Sequence, residues 1–595
     1  MADHYDQEQA TPRYRSLSPV QIHITGGILK ERYDKNLENL WLRIDVQALK
    51  QVYRELHGFG YAEPEFCGNY IAAGIDLYKN TRNEVVLDRV GQLVETIIGS
   101  QRGDGFLAPY EPGMEFDEAF SVWNQQFTIL ALTAYHELTG HAPALEVAMR
   151  CADYIASNFL RPGGPDLMRC FNAGMQHSCI LREMARLYRL TGKPLYLEFC
   201  EYIVTRWESS CQRLVSAPLE ARDRGEFFVF AAIPCWKAIE MLVCYQGIVE
   251  LYRVTGDRKY LDAATYYWQA VRVVQIGLTG NGSLGETWNY IGNHPALLPN
   301  DLAPNENCVA VGFMQLSALL AEFHGEAKYW DAYERTLFNH LLGSQAIDGH
   351  DFSYYQGNYG YKVHEKDPGA YSCCRFRGTR ALAFLPGHIY AQTGEGILVN
   401  LFVSSETRIE VNGVQTTITQ TTDFPRNGMV RLTVTPTSPA QFKLYLRMPE
   451  WCPGSIISVN GQDVSCASER GYHVINRTWS PGGDSVHYAM EMPIGEIKGC
   501  VDYRDSVALT YGPLVLATDS RYGTPMRSTE IAPISANEIA AVPLPDDEWI
   551  PMVKFLAKGR VADRDARIVL VDYASAGSQN PGRDEFRVWL PLAAG

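Results

Sequence analysis

Tyr135-His136-Glu137-Leu138-Thr139-Gly140 ends an apolar helical pattern in a tyrosine-rich turn, and this turn decides the fold because it recurs along the chain. Apolar residues at three- and four-residue spacing precede each copy, a pattern that predicts helices. The closing glycine is typical of a helix C-cap. Further copies lie at 77–81, 188–192 and 252–256, with a weaker one at 323–326.

Each repeat has room for a helical hairpin, and about six hairpins predict either an open solenoid or a closed α/α toroid. A closed toroid is favoured because the long loops would then converge on one face as a pocket. Near Gly396 the pattern changes to the alternation of short strands, with Ile397 and Val399 on one face. We expect an N-terminal tail with short strands that pair with the β region, a helical toroid, a β-sandwich, and a second β-sandwich or extension, at 1–28, 29–394, 395–500 and 501–595.

The bulk properties limit the classes of partner. The chain has 595 residues, too many for a single core, and a formal charge of −15, which argues against nucleic acid or an anionic membrane as partner. No run approaches the length of a membrane span. The first residues are polar and acidic and show no signal-peptide pattern. We therefore expect a cytoplasmic protein whose cysteines are mostly free thiols.

Glu306 and Cys308 lie two positions apart, just before a helical run, and the pair Cys373-Cys374 lies further along the chain. Three thiols and one carboxylate from two segments can complete a tetrahedral site for a thiophilic metal, foremost zinc. Three alternatives stay open: a purely structural zinc, two buried thiols without metal, and histidine ligands in place of Glu306. No pair among the candidate histidines has metal spacing, so we expect core or solvated side chains at His294, His340, His350 and His364.

Several motifs together resemble the β-L-arabinofuranosidases of glycoside hydrolase family 127 and their relatives, over roughly residues 20 to 520. They are Asn305-Glu306-Asn307-Cys308-Val309, Tyr329-Trp330-Asp331, Ser372-Cys373-Cys374, Leu446-Arg447-Met448-Pro449-Glu450-Trp451 and Tyr511-Gly512-Pro513. The resemblance implies an (α/α)6 barrel followed by β-sandwich domains. It also implies a homodimer through the C-terminal sheets.

The resemblance further implies roles for individual residues. A zinc ion would be bound by Glu306, Cys308, Cys373 and Cys374, and Cys373 would be the nucleophile. The general acid/base would be Glu286, in Gly285-Glu286-Thr287-Trp288. A cysteine can replace the usual nucleophilic carboxylate if it is a thiolate at neutral pH, and metal coordination deprotonates it.

The expected sugar-binding residues only partly follow the family pattern. Tyr354 resembles a sugar-contacting tyrosine. Family members carry a histidine in a Gly-His-Tyr turn and another after Val-Trp, both contacting the sugar, whereas this chain has Gly68-Asn69-Tyr70 and Val122-Trp123-Asn124-Gln125-Gln126. We assign sugar contacts to Asn69, Trp123 and Gln126 by position. The departures affect the choice of sugar and leave the metal ligands and the nucleophile intact.

The sequence therefore predicts a retaining, zinc-dependent exo-glycosidase that removes a terminal β-L-arabinofuranoside-like group from an oligosaccharide or glycoside. One alternative is a related glycosidase of different sugar specificity, and another is a non-catalytic carbohydrate-binding protein with structural zinc. A sugar epimerase or polysaccharide lyase is a third class of α/α toroid. Such enzymes usually rely on His or Tyr bases, and the histidine-poor loops argue against them.

Overall fold

A computed structural model describes residues 10–56, 63–107, 109–116, 120–226, 237–288, 305–367, 369–499, 504–523, 529–531, 539–542, 551–561 and 564–592. The N-terminal part is rich in helices and the C-terminal part in strands. The helices are α1 Gly27–Lys35, α2 Val46–Gln51, α3 Glu63–Thr81, α4 Glu84–Gly99, α5 Ser121–Thr139, α6 Ala142–Leu160, α7 Met175–Ser178, α8 Leu181–Thr191, α9 Pro194–Glu208, α10 Ser216–Asp223, α11 Ala238–Thr255, α12 Arg258–Ala270, α13 Asn307–His324, α14 Lys328–Thr336, α15 Leu342–Ser344 and α16 Cys373–Ala383.

The strands lie at both ends of the helical part, at a few points within it and throughout the C-terminal part. They are β1 Arg15–Ser16, β2 Ile22–Ile24, β3 Asn305–Glu306, β4 Tyr355–Gln356, β5 Tyr359–Tyr361, β6 Tyr390–Gln392, β7 Gly396–Val399, β8 Ser405–Val411, β9 Val414–Thr422, β10 Met429–Pro436, β11 Ala440–Arg447, β12 Ser455–Val459, β13 Gln462–Asp463, β14 Ala467–Glu469, β15 Tyr472–Trp479, β16 Asp484–Met490, β17 Ile494–Lys498, β18 Ser506–Tyr511, β19 Leu514–Asp519, β20 Thr529–Ile531, β21 Ala540–Ala541, β22 Lys554–Val561, β23 Arg564–Asp572, β24 Glu585–Arg587 and β25 Leu590–Pro591.

The helical part has inner and outer helices. The inner helices α3, α5, α8, α11, α13 and α16 contact one another in that order, and α16 also contacts α3. Among the outer helices, α4, α6, α9, α12 and α14 each pack on the inner helix that precedes them. Helices α5, α11 and α13 are buried on nearly all sides, as expected for helices enclosed by others. In the described part of the chain, no helix is long and apolar enough to cross a membrane.

The tyrosine-rich turns end the inner helices as the sequence predicts. Gly140, Gly192, Gly256 and Gly325 cap α5, α8, α11 and α13 with left-handed φ angles of 73°, 67°, 68° and 66°. In each case the glycine N–H donates to the carbonyl four residues earlier. The predicted glycine caps are therefore confirmed, and they reverse the chain into the next outer helix.

Three large sheets follow in the described part of the chain. Two have the strand orders β1-β6-β7-β11-β15-β14 and β13-β12-β16-β10-β9-β8-β2, so that the N-terminal strands β1 and β2 complete their edges. The third has the main order β17-β18-β19-β23-β22-β20. Its first strand, β17, begins at Ile494, a few residues before the expected start of the last unit at residue 501.

The third sheet reaches back to the helical part. Strand β24 pairs with β5, and the buried Lys362 ammonium donates to the carbonyl oxygens of Tyr573 and Ala574. The Tyr573 hydroxyl donates to Gly357 O at 2.8 Å and to Gln356 Oε1 at 3.1 Å. The C-terminal sheet thus supports β4, which belongs to the candidate site.

Candidate active site and metal centre

The four predicted metal ligands meet where two inner helices begin. Glu306 ends β3, Cys308 lies in the first turn of α13, and Cys373 and Cys374 open α16. Their ligand atoms all lie within 4.8 Å of one another. The Sγ atoms of Cys308 and Cys374 are 3.2 Å apart, and Glu306 Oε1 is 4.0 Å from Cys374 Sγ.

One asparagine joins the two ligand-bearing segments, and backbone pairing fixes the first of them. Strand β3 pairs with β4, which places Glu306 opposite Tyr355. The Asn307 side chain donates to Cys374 O at 3.2 Å and accepts from Ser344 Oγ at 3.0 Å. Sequence reasoning assigned no role to Asn307, although its position between two candidate ligands was a usable signal.

The donor set fits zinc. Three thiols and a carboxylate are the soft and borderline ligands that zinc accepts in tetrahedral sites. Glu306 is 1% exposed, and among the described residues its Oε2 has no hydrogen-bond partner. Burial raises the pKa of Glu306, and the nearby Cys373 raises it further. A buried carboxylate oxygen without a partner is costly, and a divalent cation would offset that cost.

The three thiols differ in acidity. Burial raises the pKa of Cys308 and Cys374, whereas hydrogen bonds from these two thiols, aided by Arg377, hold the pKa of Cys373 well below its usual value. The N-terminal position of Cys373 in α16 also favours a negative charge. Of these three thiols, Cys373 therefore carries a negative charge most readily. The cysteines in the described residues are free, as predicted.

Glu286 lies beside this cluster and is surrounded by donors. Its Oε1 accepts from the hydroxyls of Tyr354 and Tyr355, at 2.7 and 2.8 Å, and its Oε2 forms an ion pair with Lys237. Burial alone would raise the pKa of Glu286, but the hydrogen bond and charge of Lys237 outweigh burial and lower it. The cation and the two hydroxyl donors therefore favour the carboxylate form of Glu286.

Tyr354 connects the candidate acid/base to the candidate nucleophile. Its hydroxyl oxygen lies 2.7 Å from Glu286 Oε1 and 3.7 Å from Cys373 Sγ. The two groups therefore face each other across one hydroxyl. A short separation between nucleophile and acid/base, roughly 5 Å, is what a retaining glycosidase needs.

The other predicted sugar contacts are buried among the inner helices. Trp123 Nε1 donates to Glu65 Oε2 at 2.6 Å, and Arg377 Nε donates to Glu65 Oε1 at 3.0 Å. Gln126 is buried, and neither polar atom of its side chain has a partner among the described residues. Asn69 accepts from Arg380 and donates to Glu65 O. These bonds join Asn69 to the neighbours of the cluster and not to its four ligands.

Three charged residues that sequence reasoning missed surround the cluster. The buried Arg377–Glu65 ion pair connects α16 to α3, and Cys373 raises the pKa of Glu65, after the larger effect of burial. Glu240 is 3% exposed, and burial raises its pKa to about 7. These residues belong to no motif, and only folding brings their segments together.

The candidate histidine ligands lie elsewhere in the described structure. His340 is buried and bonded to Asn281, whose side chain donates to Glu306 O, so it supports the site indirectly. His364 is buried 3.9 Å from Asp351, and His350 contacts Asp348. His294 lies outside the described residues.

Comparisons with known proteins agree with this architecture. Residues 28–387 match the family model of the β-L-arabinofuranosidase GH127 catalytic domain, and residues 396–492 match that of the GH127 middle domain. A non-reducing end β-L-arabinofuranosidase from Bifidobacterium longum subsp. longum is 26% identical over 481 residues, 72% of this chain and 70% of the relative.

Solved structures share the fold over nearly the whole chain. A GH127 β-L-arabinofuranosidase from Geobacillus stearothermophilus T6 superposes with a TM-score of 0.80 at 22% identity, covering 96% of this chain and all of that one. Another GH127 β-arabinofuranosidase gives 0.81 at 21% identity, covering 98% of each chain. The family match and the curated relative show that the chain is a glycoside hydrolase. The chain belongs to the GH127 β-L-arabinofuranosidase family.

Proposed function

We propose that the chain removes a terminal β-L-arabinofuranosyl group from an oligosaccharide or glycoside, with net retention at the anomeric carbon. Cys373 is the nucleophile, Glu286 is the general acid/base, and Glu306, Cys308, Cys373 and Cys374 hold zinc. The observation that carries the proposal is the arrangement of Tyr354, whose hydroxyl lies within 3.7 Å of both the Cys373 thiol and the Glu286 carboxylate.

The first step forms a bond between Cys373 Sγ and the anomeric carbon and breaks the glycosidic C–O bond. The leaving oxygen takes a proton from Glu286. In the second step a water oxygen attacks the same carbon, the C–S bond breaks, and Glu286 accepts the water proton. Two displacements at one carbon give retention. When bound, zinc would keep its thiol ligands deprotonated and balance their buried charge.

Glu286 must carry a proton in the first step, and its ion pair with Lys237 opposes this. The substrate therefore has to loosen that pair or bind to the protonated form. Tyr354 can keep the carboxylate in place meanwhile, since its hydroxyl bonds to Oε1 and not to Oε2. Asn69, Trp123 and Gln126 are proposed to shape the sugar pocket. For Trp123 this action passes through the Glu65 carboxylate, to which its indole N–H donates.

We also propose that the ring of inner helices, α3 to α16 with α16 contacting α3, is an (α/α)6 barrel at residues 29–394. A β-sandwich at 395–500 and a second β unit at 501–595 follow it, and β17 of the first segment pairs with β18 of the second. The matched family segments, 28–387 and 396–492, support the first two boundaries.

The experiment is hydrolysis of a panel of p-nitrophenyl glycosides, including the β-L-arabinofuranoside, by the wild type and by Cys373→Ala. We expect turnover of the arabinofuranoside that falls at least a thousandfold in the variant. Turnover of another sugar instead would mean that the proposed sugar specificity is wrong. Turnover unchanged by Cys373→Ala would overturn the cysteine mechanism. Sugar binding without turnover would favour a carbohydrate-binding protein.

A further inference from the structure

A small sheet forms one rim of the candidate site. Strand β3 pairs with β4, and Gly285 forms a β-bridge with Asn305 of β3. Gly285 belongs to a turn that is closed by the Leu284 N–H, which donates to Thr287 O at 2.7 Å. The turn carries Glu286, and β4 carries Tyr355. The carboxylate and this tyrosine are therefore positioned by one hydrogen-bonded framework.

Two adjacent tyrosines approach the Glu286 carboxylate differently. Both hydroxyls bond to Oε1, but Tyr354 is partly buried and reaches Cys373, whereas Tyr355 is 39% exposed. The two rings lie side by side with their centroids 4.5 Å apart, and the Tyr355 ring is the more exposed of the two. Glu286 thus has an inner side next to the nucleophile and an outer side next to the exposed Tyr355 ring.

A second apolar side chain is exposed at the same rim. Leu284, two residues before Glu286 and in the same turn, is 37% exposed. Isolated exposed apolar residues need no explanation, but two of them at one catalytic carboxylate are typical of a ligand-contacting surface. No mechanistic step described above uses either side chain for its apolar surface.

We infer that Tyr355 and Leu284 form the subsite for the leaving group, and that this subsite takes an aglycone with an apolar face, such as a second sugar ring or an aryl ring. The inference rests on the proposed role of Glu286. The proton that Glu286 delivers goes to the leaving oxygen, so the group beyond that oxygen lies on the side of Glu286 away from Cys373. That is the side of the exposed Tyr355 ring.

The energetic contribution follows from ring contact. An aromatic ring packed against another flat face contributes, beyond its buried area, roughly fivefold in kcat/KM, which is about 1 kcal/mol. The same contact is missing for a methyl aglycone. The ratio of kcat/KM for an aryl or disaccharide substrate to that for the methyl glycoside therefore measures the subsite.

The test compares this ratio in wild type, Tyr355→Ala, Tyr355→Phe and Leu284→Ala, using p-nitrophenyl, disaccharide and methyl glycosides of whichever sugar the wild type hydrolyses. We expect Tyr355→Ala to lower the ratio about tenfold, mainly through KM, and Leu284→Ala to lower it severalfold. Tyr355→Phe keeps the ring and should keep the ratio, even if losing the hydroxyl changes both rates. Tyr361→Ala, at another exposed tyrosine, is the control.

An equal fall for all aglycones in Tyr355→Ala and Leu284→Ala would overturn the inference, because both residues would then act only through Glu286. A fall of the ratio in Tyr355→Phe as large as in Tyr355→Ala would also overturn it. A different preferred sugar would change the proposed function alone, since the ratio does not depend on the sugar. Absence of turnover on every glycoside would overturn both.

Discussion

At the residue scale, the Lys237–Glu286 ion pair sets the protonation of the proposed acid/base. Replacing Lys237 by Met removes the cation but leaves Glu286 half-buried, so the pKa of Glu286 should rise. The acid form then persists to higher pH. We expect the alkaline limb of kcat/KM to move to higher pH, measured on a glycoside with a poor leaving group.

Lys259→Met is the control, because Lys259 is an exposed lysine on α12. It should leave the pH profile of kcat/KM in place. An alkaline limb that stays at the wild-type pH in Lys237→Met would mean that another group, and not Glu286, protonates the leaving oxygen.

Glu240 gives a second prediction at this scale, concerning stability. Burial raises its pKa to about 7 in the folded protein, whereas the unfolded chain ionises near the ordinary glutamate value. The folded state therefore binds more protons between those two pH values, and stability is lost as pH rises through them. Glu240→Gln removes this loss, on the order of 3 kcal/mol, above neutral pH.

The measurement is the melting temperature of wild type and Glu240→Gln at pH 5 and pH 8. The melting temperature of the variant, relative to that of the wild type, should be higher at pH 8 than at pH 5. The exposed Glu198→Gln on α9 should show no such gain. An equal difference at both pH values would contradict a raised pKa at Glu240.

At the element scale, the segment that leads into the turn with Glu286 is anchored by Gly280. Its φ is +81°, and a Cβ there would lie 2.5 Å from the Thr336 backbone in α14, while Gly280 O accepts from Thr336 Oγ1. Gly280→Ala must move the turn away from α14. We expect a fall in kcat/KM of at least tenfold together with a lower melting temperature.

Gly140→Ala separates the two effects that Gly280→Ala combines, which are the displacement of the segment before Glu286 and the strain of a left-handed backbone. Gly140 has a similar φ of +73°, but a Cβ at this position would have no neighbour within 4 Å, so only backbone strain is added, at about 1 kcal/mol. It should lower the melting temperature and leave kcat/KM unchanged. Equal effects of both variants on kcat/KM would show that Gly280 does not position Glu286.

At the scale of the whole molecule, the C-terminal sheet supports the site. Tyr573→Phe removes the bonds to Gly357 O and Gln356 and leaves buried acceptors unsatisfied, at about 1–3 kcal/mol. Since β4 pairs with the strand that carries Glu306, we expect kcat/KM to fall severalfold. Tyr511→Phe is the control, because Tyr511 lies in the same C-terminal sheet but its hydroxyl bonds to Arg426 O, away from β4. Similar kcat/KM values in both variants would contradict the claim that the C-terminal sheet supports the site through Tyr573.

The sequence predicts much of the fold because its signals are local. The glycine caps and the change from helical to alternating pattern at Gly396 depend on neighbours in the chain. The four metal candidates were found because Glu306 and Cys308 lie close together and Cys373-Cys374 is a distinctive pair. Lys237 and the Tyr573–Gln356 bond were not found, since each forms between segments that only the folded chain brings together.

The most direct test of the account is to trap the covalent intermediate. Glu286→Gln cannot activate water, whereas p-nitrophenolate leaves without acid help, so a glycosyl group should accumulate on the enzyme. Mass spectrometry of the quenched variant with p-nitrophenyl β-L-arabinofuranoside should show one added pentosyl group on the peptide that contains Cys373. The added mass should be absent from the Glu286→Gln, Cys373→Ala double variant. A pentosyl group on a carboxylate, or on the double variant, would contradict the cysteine mechanism.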